Sequence, residues 1–194
     1  MNKYILMSVM VLLIAFSSTA QTSWEADPAH SNINFTITHL VIAEVTGKFN
    51  DFSCTVQTKG DDFNGAQIEV GIKTASIFTN NEKRDNHLRS ADFFDAEKYP
   101  QISFKSTAFE KTAENTYKIN GVLTMHGISK PVVLEAKLKG LVKDPWGNSR
   151  AGFKATTALD RYEYDLKWNT ALEGGGLLVG KEVSIEINLE LVKK

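Results

Sequence analysis

The sequence predicts an all-β protein, a single antiparallel barrel of about eight strands with one short helical excursion near residues 80–95. Three observations carry this expectation. Apolar and polar residues alternate over strand-length segments, the signature of half-buried antiparallel strands. Turn-forming residues separate these segments. Very large and very small side chains share the apolar faces, as a closed sheet around one interior requires. Ile102, Phe104, Ser106 and Ala108 fall on one face, and Tyr117, Ile119, Gly121, Leu123 and Met125 repeat the pattern. Val132 to Leu138, Ala151 to Thr157 and Val183 to Leu191 follow it as well.

In chain order, the first segment stands apart. Lys3, the apolar stretch Ile5 to Phe16 and the small residues Ser18, Thr19 and Ala20 read as a secretory signal, cleaved after Ala20. The stretch is short for a membrane span, which needs about 20 apolar residues. No cysteine stands at the cleavage point to carry a lipid anchor. Residues 21–194 then form one domain, long enough for a substantial core. The whole chain has a net charge of −1, and loss of Lys3 makes it one unit more negative. With no basic run or stripe, nucleic acid is not an expected partner. Cys54 is the single cysteine, so no internal disulfide is available, and its place between Phe52 and Val56 reads as a buried small hydrophobe.

Ile33, Phe35, Ile37 and His39 share a face of the first strand, and a second strand is expected from Thr46 through Val56. Lys59 to Asp62 is a turn, and Ile68, Val70, Ile72 and Thr74 mark a third strand. The alternation breaks between Thr79 and Tyr99. There Thr79 and Glu82 fit a capping box, Arg84, His87 and Leu88 share a helix face, and Arg89 is placed to pair with Asp85. Phe93 and Phe94 need burial, so this excursion reads as a helical flap across one end of the barrel. Strands resume after Pro100, with turns at Glu114-Asn115, Gly127 to Pro131 and Asp144 to Gly147. A second interruption, Asp160 to Gly176, carries Tyr162, Tyr164, Leu166 and Trp168, apolar enough to close an end of the barrel. The last strand runs from Glu182 to Leu191.

Few motifs carry chemistry. His30, His39, His87 and His126 are scattered, without the spacing of a zinc site, so no metal is expected. His126 reads as an exposed turn residue; His39 reads equally as a core residue or as a polar contact for a ligand. Gly175 to Lys181 has the spacing of a phosphate-binding loop, but Glu182 replaces the magnesium-binding hydroxyl and a strand follows. No serine sits in a nucleophile elbow. Asp27, Asp85, Asp92 and Asp95 fit caps and salt bridges as well as an acid–base pair. Asn34-Phe35-Thr36 is a glycosylation acceptor only in a eukaryotic host. No catalytic residue, cofactor or enzymatic activity is expected. The mixture of large and small inward residues fits a packed interior as readily as a hollow one.

Specific residues do resemble a known family. Trp24, Asp27-Pro28, His30-Ser31, Phe35, His39-Leu40, Gly47 and Phe49 open the chain as YceI-like proteins open. The similarity is strongest at Thr79, Arg84-Asp85, His87-Leu88, Ser90, Asp92-Phe93-Phe94 and Pro100. It continues through Ile102, Phe104, Ser106, Gly121, Leu123, Gly127, Lys130-Pro131 and Val132 to Arg161, Trp168 and Gly180. The resemblance implies a lipocalin-like barrel, export to a bacterial periplasm, and an isoprenoid lipid such as a quinone or prenyl phosphate along the barrel axis. On that reading Phe35, Ile37, Phe49, Ile68, Ile72, Phe104, Gly121, Leu123 and Phe153 line the tail. His39, Arg84, His87, Phe93 and Phe94 stand at the mouth. Transient membrane contact and a homodimer stay open, as do a lipid-directed enzyme with His and Asp at the mouth and a filled barrel with an envelope partner. A bore along the axis would be blocked by Gly121→Phe in a barrel that still folds.

Overall fold

The computed structural model describes residues 21–173 and 175–194; the expected leader, residues 1–20, lies outside them. Its strands are β1 (Gln21–Ala26), β2 (Asn32–His39), β3 (Ala43–Phe49), β4 (Phe52–Lys59), β5 (Asp62–Lys73) and β6 (Ile77–Phe78). After helix α1 (Glu82–Arg89) come β7 (Gln101–Ala113), β8 (Thr116–Met125), β9 (Ile128–Lys143), β10 (Ser149–Asp160) and β11 (Val179–Lys193). The order β1-β4-β5-β7-β8-β9-β10-β11 closes on itself through the β1–β11 pairing, giving an eight-stranded antiparallel barrel.

The remaining short strands extend this ring. Both β1 and β2 pair antiparallel with β11, Ala26 opposite Leu191 and Asn32 opposite Asn188. They are therefore successive pieces of one strand position. By the same logic β3 and β4 form the next position, and β5 and β6 the one after. The second strand expected from the alternation is thus split at Asn50-Asp51. The breaks are tied together: the Asn50 amide donates to Ser76 O at 3.1 Å and the Lys73 amide to Asp51 O at 3.0 Å. Beyond them β6 is only two residues long, and β7 begins opposite Lys73. Helix α1 and residues 90–100 fill the gap that this leaves.

The halves of the interior differ. In the half away from α1, Trp24, Phe63, Phe109, Tyr117 and Phe153 pack into one cluster, with Phe63 and Phe153 ring centroids 4.8 Å apart. Ala66, Ala136, Ala151 and Ala155 belong to the same cluster and make room for those rings. Cys54 is buried there, and burial pushes its thiol up to about 12, which keeps it protonated. A second cluster, including Ile33, Phe49, Ile72, Ile77, Met125, Tyr164 and Leu166, lies nearer α1. The Tyr164 hydroxyl is buried there without a partner among the described residues, and burial raises its pKa to about 12.

Several local expectations change. The register shifts between Ser106 and Ala108, so Phe109 is buried and Glu110, which the unbroken alternation would turn inward, is exposed. Asn81, not Thr79, caps α1: its side chain accepts from the Arg84 amide at 3.0 Å. Arg89 does not pair with Asp85. It donates to Ala75 O and Ile77 O, both at 2.8 Å, and so pins α1 to β6. His126 is half-buried rather than exposed, with Nδ1 3.1 Å from Tyr164 O.

Gly121 has a different role from a bore lining. A Cβ there would stand 2.3 Å from Phe104 Cζ and 2.7 Å from the Lys105 carbonyl oxygen. The Phe104 ring lies over this glycine, and a larger residue must displace both ring and backbone. Even Gly121→Ala is therefore expected to cost about 1–3 kcal/mol, read as a lower denaturation midpoint. Gly121→Phe then tests folding, not access to a bore.

Arg150 joins the 27–31 break to the β9–β10 turn and β11. Its Nη1 donates to Asp27 Oδ2 at 2.9 Å and to Glu190, and its Nε donates to Asp144 Oδ2 at 2.8 Å. The guanidinium, helped by His30, holds the Asp27 carboxyl down at about 2 and holds Asp144 well below the usual carboxylate range. An unfolded aspartate titrates near about 3.9, so the unfolded chain binds more protons below that pH. Stability is therefore fully present above about pH 4 and falls as pH drops toward 2. Arg150→Met should flatten this acid limb in denaturation measured against pH.

A basic-rimmed cavity at the helical end

A cavity of about 540 Å³ opens at the α1 end, within the range of roughly 300–1,000 Å³ typical of small-molecule sites. Alternation places its walls. Phe35 and Ile37 of β2 face Val183 and Ile185 of β11, with Ile185 opposite Phe35 and Val183 opposite Ile37. Gly47 is where the wall needs a glycine: a Cβ would lie 2.3 Å from Phe35 Cζ, so the ring rests directly on β3. Phe49, Ile77, Met125 and Leu166 join the lining to the second core cluster.

Helix α1 supplies the polar side through a fixed network. The Thr79 amide and hydroxyl both donate to Asp85 Oδ1, the amide at 2.9 Å. Arg84 donates from Nε to Thr79 Oγ1 at 2.7 Å and from Nη2 to Thr79 O at 2.8 Å. Asp85 is buried, so this relay stabilises the start of the helix and pins the Arg84 guanidinium beside the cavity. Asn81 and Lys83 are exposed lining residues and mark the open side.

An aromatic group closes another side. His87, Phe93 and Trp168 lie edge to face or tilted, with centroids 4.8–5.2 Å apart. His87 Nε2 also lies 3.2 Å from Asp92 Oδ2. Beneath this group Arg161 is 3% exposed. It donates from Nε to Gly180 O at 2.8 Å and from Nη1 to Trp168 O at 3.0 Å and to Leu166 O. Burial pushes the pKa of this guanidinium down, because desolvation disfavours its charge, while Tyr162 and Asp160 act in the opposite sense.

The expected mouth residues come together: His39, Arg84, His87, Phe93 and Phe94 all line the cavity. Phe35, Ile37 and Phe49 of the expected tail lining are there too. The others are not. Ile68 and Phe153 belong to the packed far cluster, and Ile72 to the second cluster. Phe104 and Leu123 pack against these clusters, and Gly121 lies under the Phe104 ring. Alternation tells which face is inward but not how far along the axis a residue sits. Arg161, Trp168, Thr79, Lys83 and Leu88 were absent from the expected lining. Burial of an arginine against loop carbonyls leaves no periodic signal.

Among the described residues, Asp27, His30 and Glu190 form a cluster of metal-ligand types. Arg150 already bridges both carboxylates, so the cluster is an ion-pair node.

A closed antiparallel barrel with a mostly apolar cavity at one end defines a lipocalin-like binding fold. The YceI-like domain model matches residues 24–191, and the chain belongs to that family. A UPF0312 protein of Pseudomonas putida strain GB-1 is 37% identical over 175 residues, 90% of this chain and 88% of that one. The Campylobacter jejuni YceI crystal structure has a TM-score of 0.70 at 32% identity, covering 81% of this chain and 90% of the other. A polyisoprenoid binding domain from Saccharophagus degradans shares the fold at 15% identity and a TM-score of 0.66, covering 88% of this chain and 98% of that domain.

Arg161 props the 161–180 segment through several carbonyls at once. Arg161→Met leaves them without a donor, at about 1–3 kcal/mol for each group left dry. A fall in the thermal midpoint, with Arg161→Lys intermediate, is the expected result.

Proposed function

We propose that this protein is an exported bacterial binding protein that holds the tail of an isoprenoid lipid in the cavity at its helical end. The observation that carries this reading is the cavity, walled by Phe35, Ile37, Val183 and Ile185 and polar at α1, at His39 and at Arg161. Each methylene buried there contributes about 0.8 kcal/mol before the entropy of binding is subtracted. Affinity then comes from the tail, and the polar side orients the head. The polyisoprenoid binding domain that shares the fold supports the same ligand class. The leader pattern of residues 1–20 supports a periplasmic location.

Lipid must enter from a membrane. The β2–β3 turn beside the cavity carries Leu40, Val41 and Ile42, which are 39%, 64% and 88% exposed. Leu40 donates its amide to the carbonyl of Leu178, a cavity-lining residue, so this apolar tip adjoins the site. We assign it to transient contact with the bilayer.

The test is organic extraction and mass spectrometry of protein produced with its leader in a bacterial host. A stoichiometric prenyl lipid is expected. Val183→Trp fills the cavity from a half-buried wall position and should emerge empty, with a thermal midpoint within a few degrees of the parent. A blank from the parent, repeated after incubation with prenyl lipids, would overturn the proposal.

A further inference from the structure

We infer that the cavity selects amphiphiles with an ionised anionic head, a phosphate monoester or a carboxylate, over neutral quinones and alcohols with the same tail. This deepens the lipid-binding reading above and rests on it. The ionisable residues of the lining are His39, Lys83, Arg84, His87 and Arg161. All are basic; among the described residues no aspartate or glutamate lines the cavity.

The cations have no contacting counter-ion. Among the described residues, Lys83, Arg84 and Arg161 have no carboxylate within ion-pair distance. The nearby acids are otherwise engaged. Asp85 accepts the Thr79 amide and hydroxyl, Asp92 faces His87, and Asp160 accepts the Tyr162 amide and acts on Arg161 from beyond ion-pair distance. Arg161 carries its charge with only 3% of its surface exposed. A buried cation without a counter-ion is costly, and an anion brought into the same low-dielectric space relieves that cost.

Arg84 offers a directed contact as well as a charge. Thr79 engages its Nε and Nη2, which leaves Nη1 without a partner among the described residues. A guanidinium fixed in this way gives charge-assisted hydrogen bonds to an oxyanion at little entropic cost. Lys83, exposed at the open side, adds attraction along the entry route. A quinone carbonyl can accept a hydrogen bond here, but it leaves the positive charge of the site in place.

Calorimetric titration of the delipidated protein with a prenyl monophosphate, the matching prenyl alcohol, a quinone with the same tail and a linear fatty acid tests this. The phosphate should bind at least about tenfold more tightly than the alcohol and the quinone. Fatty acid binding of comparable strength would extend the preference to carboxylates; weak fatty acid binding would restrict it to phosphates. Lys83→Glu, an exposed substitution that leaves the Thr79 network intact, should shrink the preference severalfold, and Arg84→Gln should bring it to within about twofold. Equal or tighter quinone binding would overturn this inference and leave the lipid-binding reading standing. Failure of every tail to bind would overturn both.

Discussion

An eight-stranded barrel has an interior that is either just filled by its own side chains or holds one small ligand, and a local departure from the regular ring divides this one between the two. Here the departure is a shared break. Three adjacent strand positions are interrupted at residues 27–31, 50–51 and 74–76, and β7 starts only at that level. Below the breaks the ring is complete and rings pack against alanines. Above them the wall passes from strands to α1 and the 161–168 segment, and the interior is no longer filled. Both the location of the cavity and its asymmetry follow from that one constraint.

Two arginines show how differently the two regions use charge. Arg150 lies among Asp27, Asp144 and Glu190, and three carboxylates meet its charge where it joins the seam of the barrel. Arg161 is more deeply buried and meets backbone carbonyls. The first is a tie between loops whose strength depends on ionised carboxylates. The second shapes the loop that walls the cavity while leaving a net positive charge beside it. Thr79, Asp85 and Arg84 do the corresponding work on the opposite wall, where a buried carboxylate fixes a threonine and the threonine fixes a guanidinium.

The sequence was most legible where residues interact locally or break a pattern. Loss of alternation after Thr79 located α1, and the helical spacing of Arg84, His87 and Leu88 placed all three on the cavity side. The cap itself was misplaced by two residues, because Thr79 satisfies Asp85 while Asn81 serves the first turn. Inward faces of the long strands were also legible, except past the shift at Ser106, where one unpaired residue exchanges the faces. Depth along the axis was not: Phe35 and Phe153 read alike, yet one lines the cavity and the other fills the far core.

By itself the sequence determined an antiparallel barrel, its inward faces, the position of its helical insertion and its family resemblance. Those features depend on period, turn chemistry and residues close in the chain. The tertiary structure decided that one half is packed and the other hollow, that a split strand position opens the wall, and that Arg161 is buried against backbone carbonyls. These depend on which rings meet across the barrel and which carbonyls converge, distances set by closure of the whole sheet rather than by any single segment.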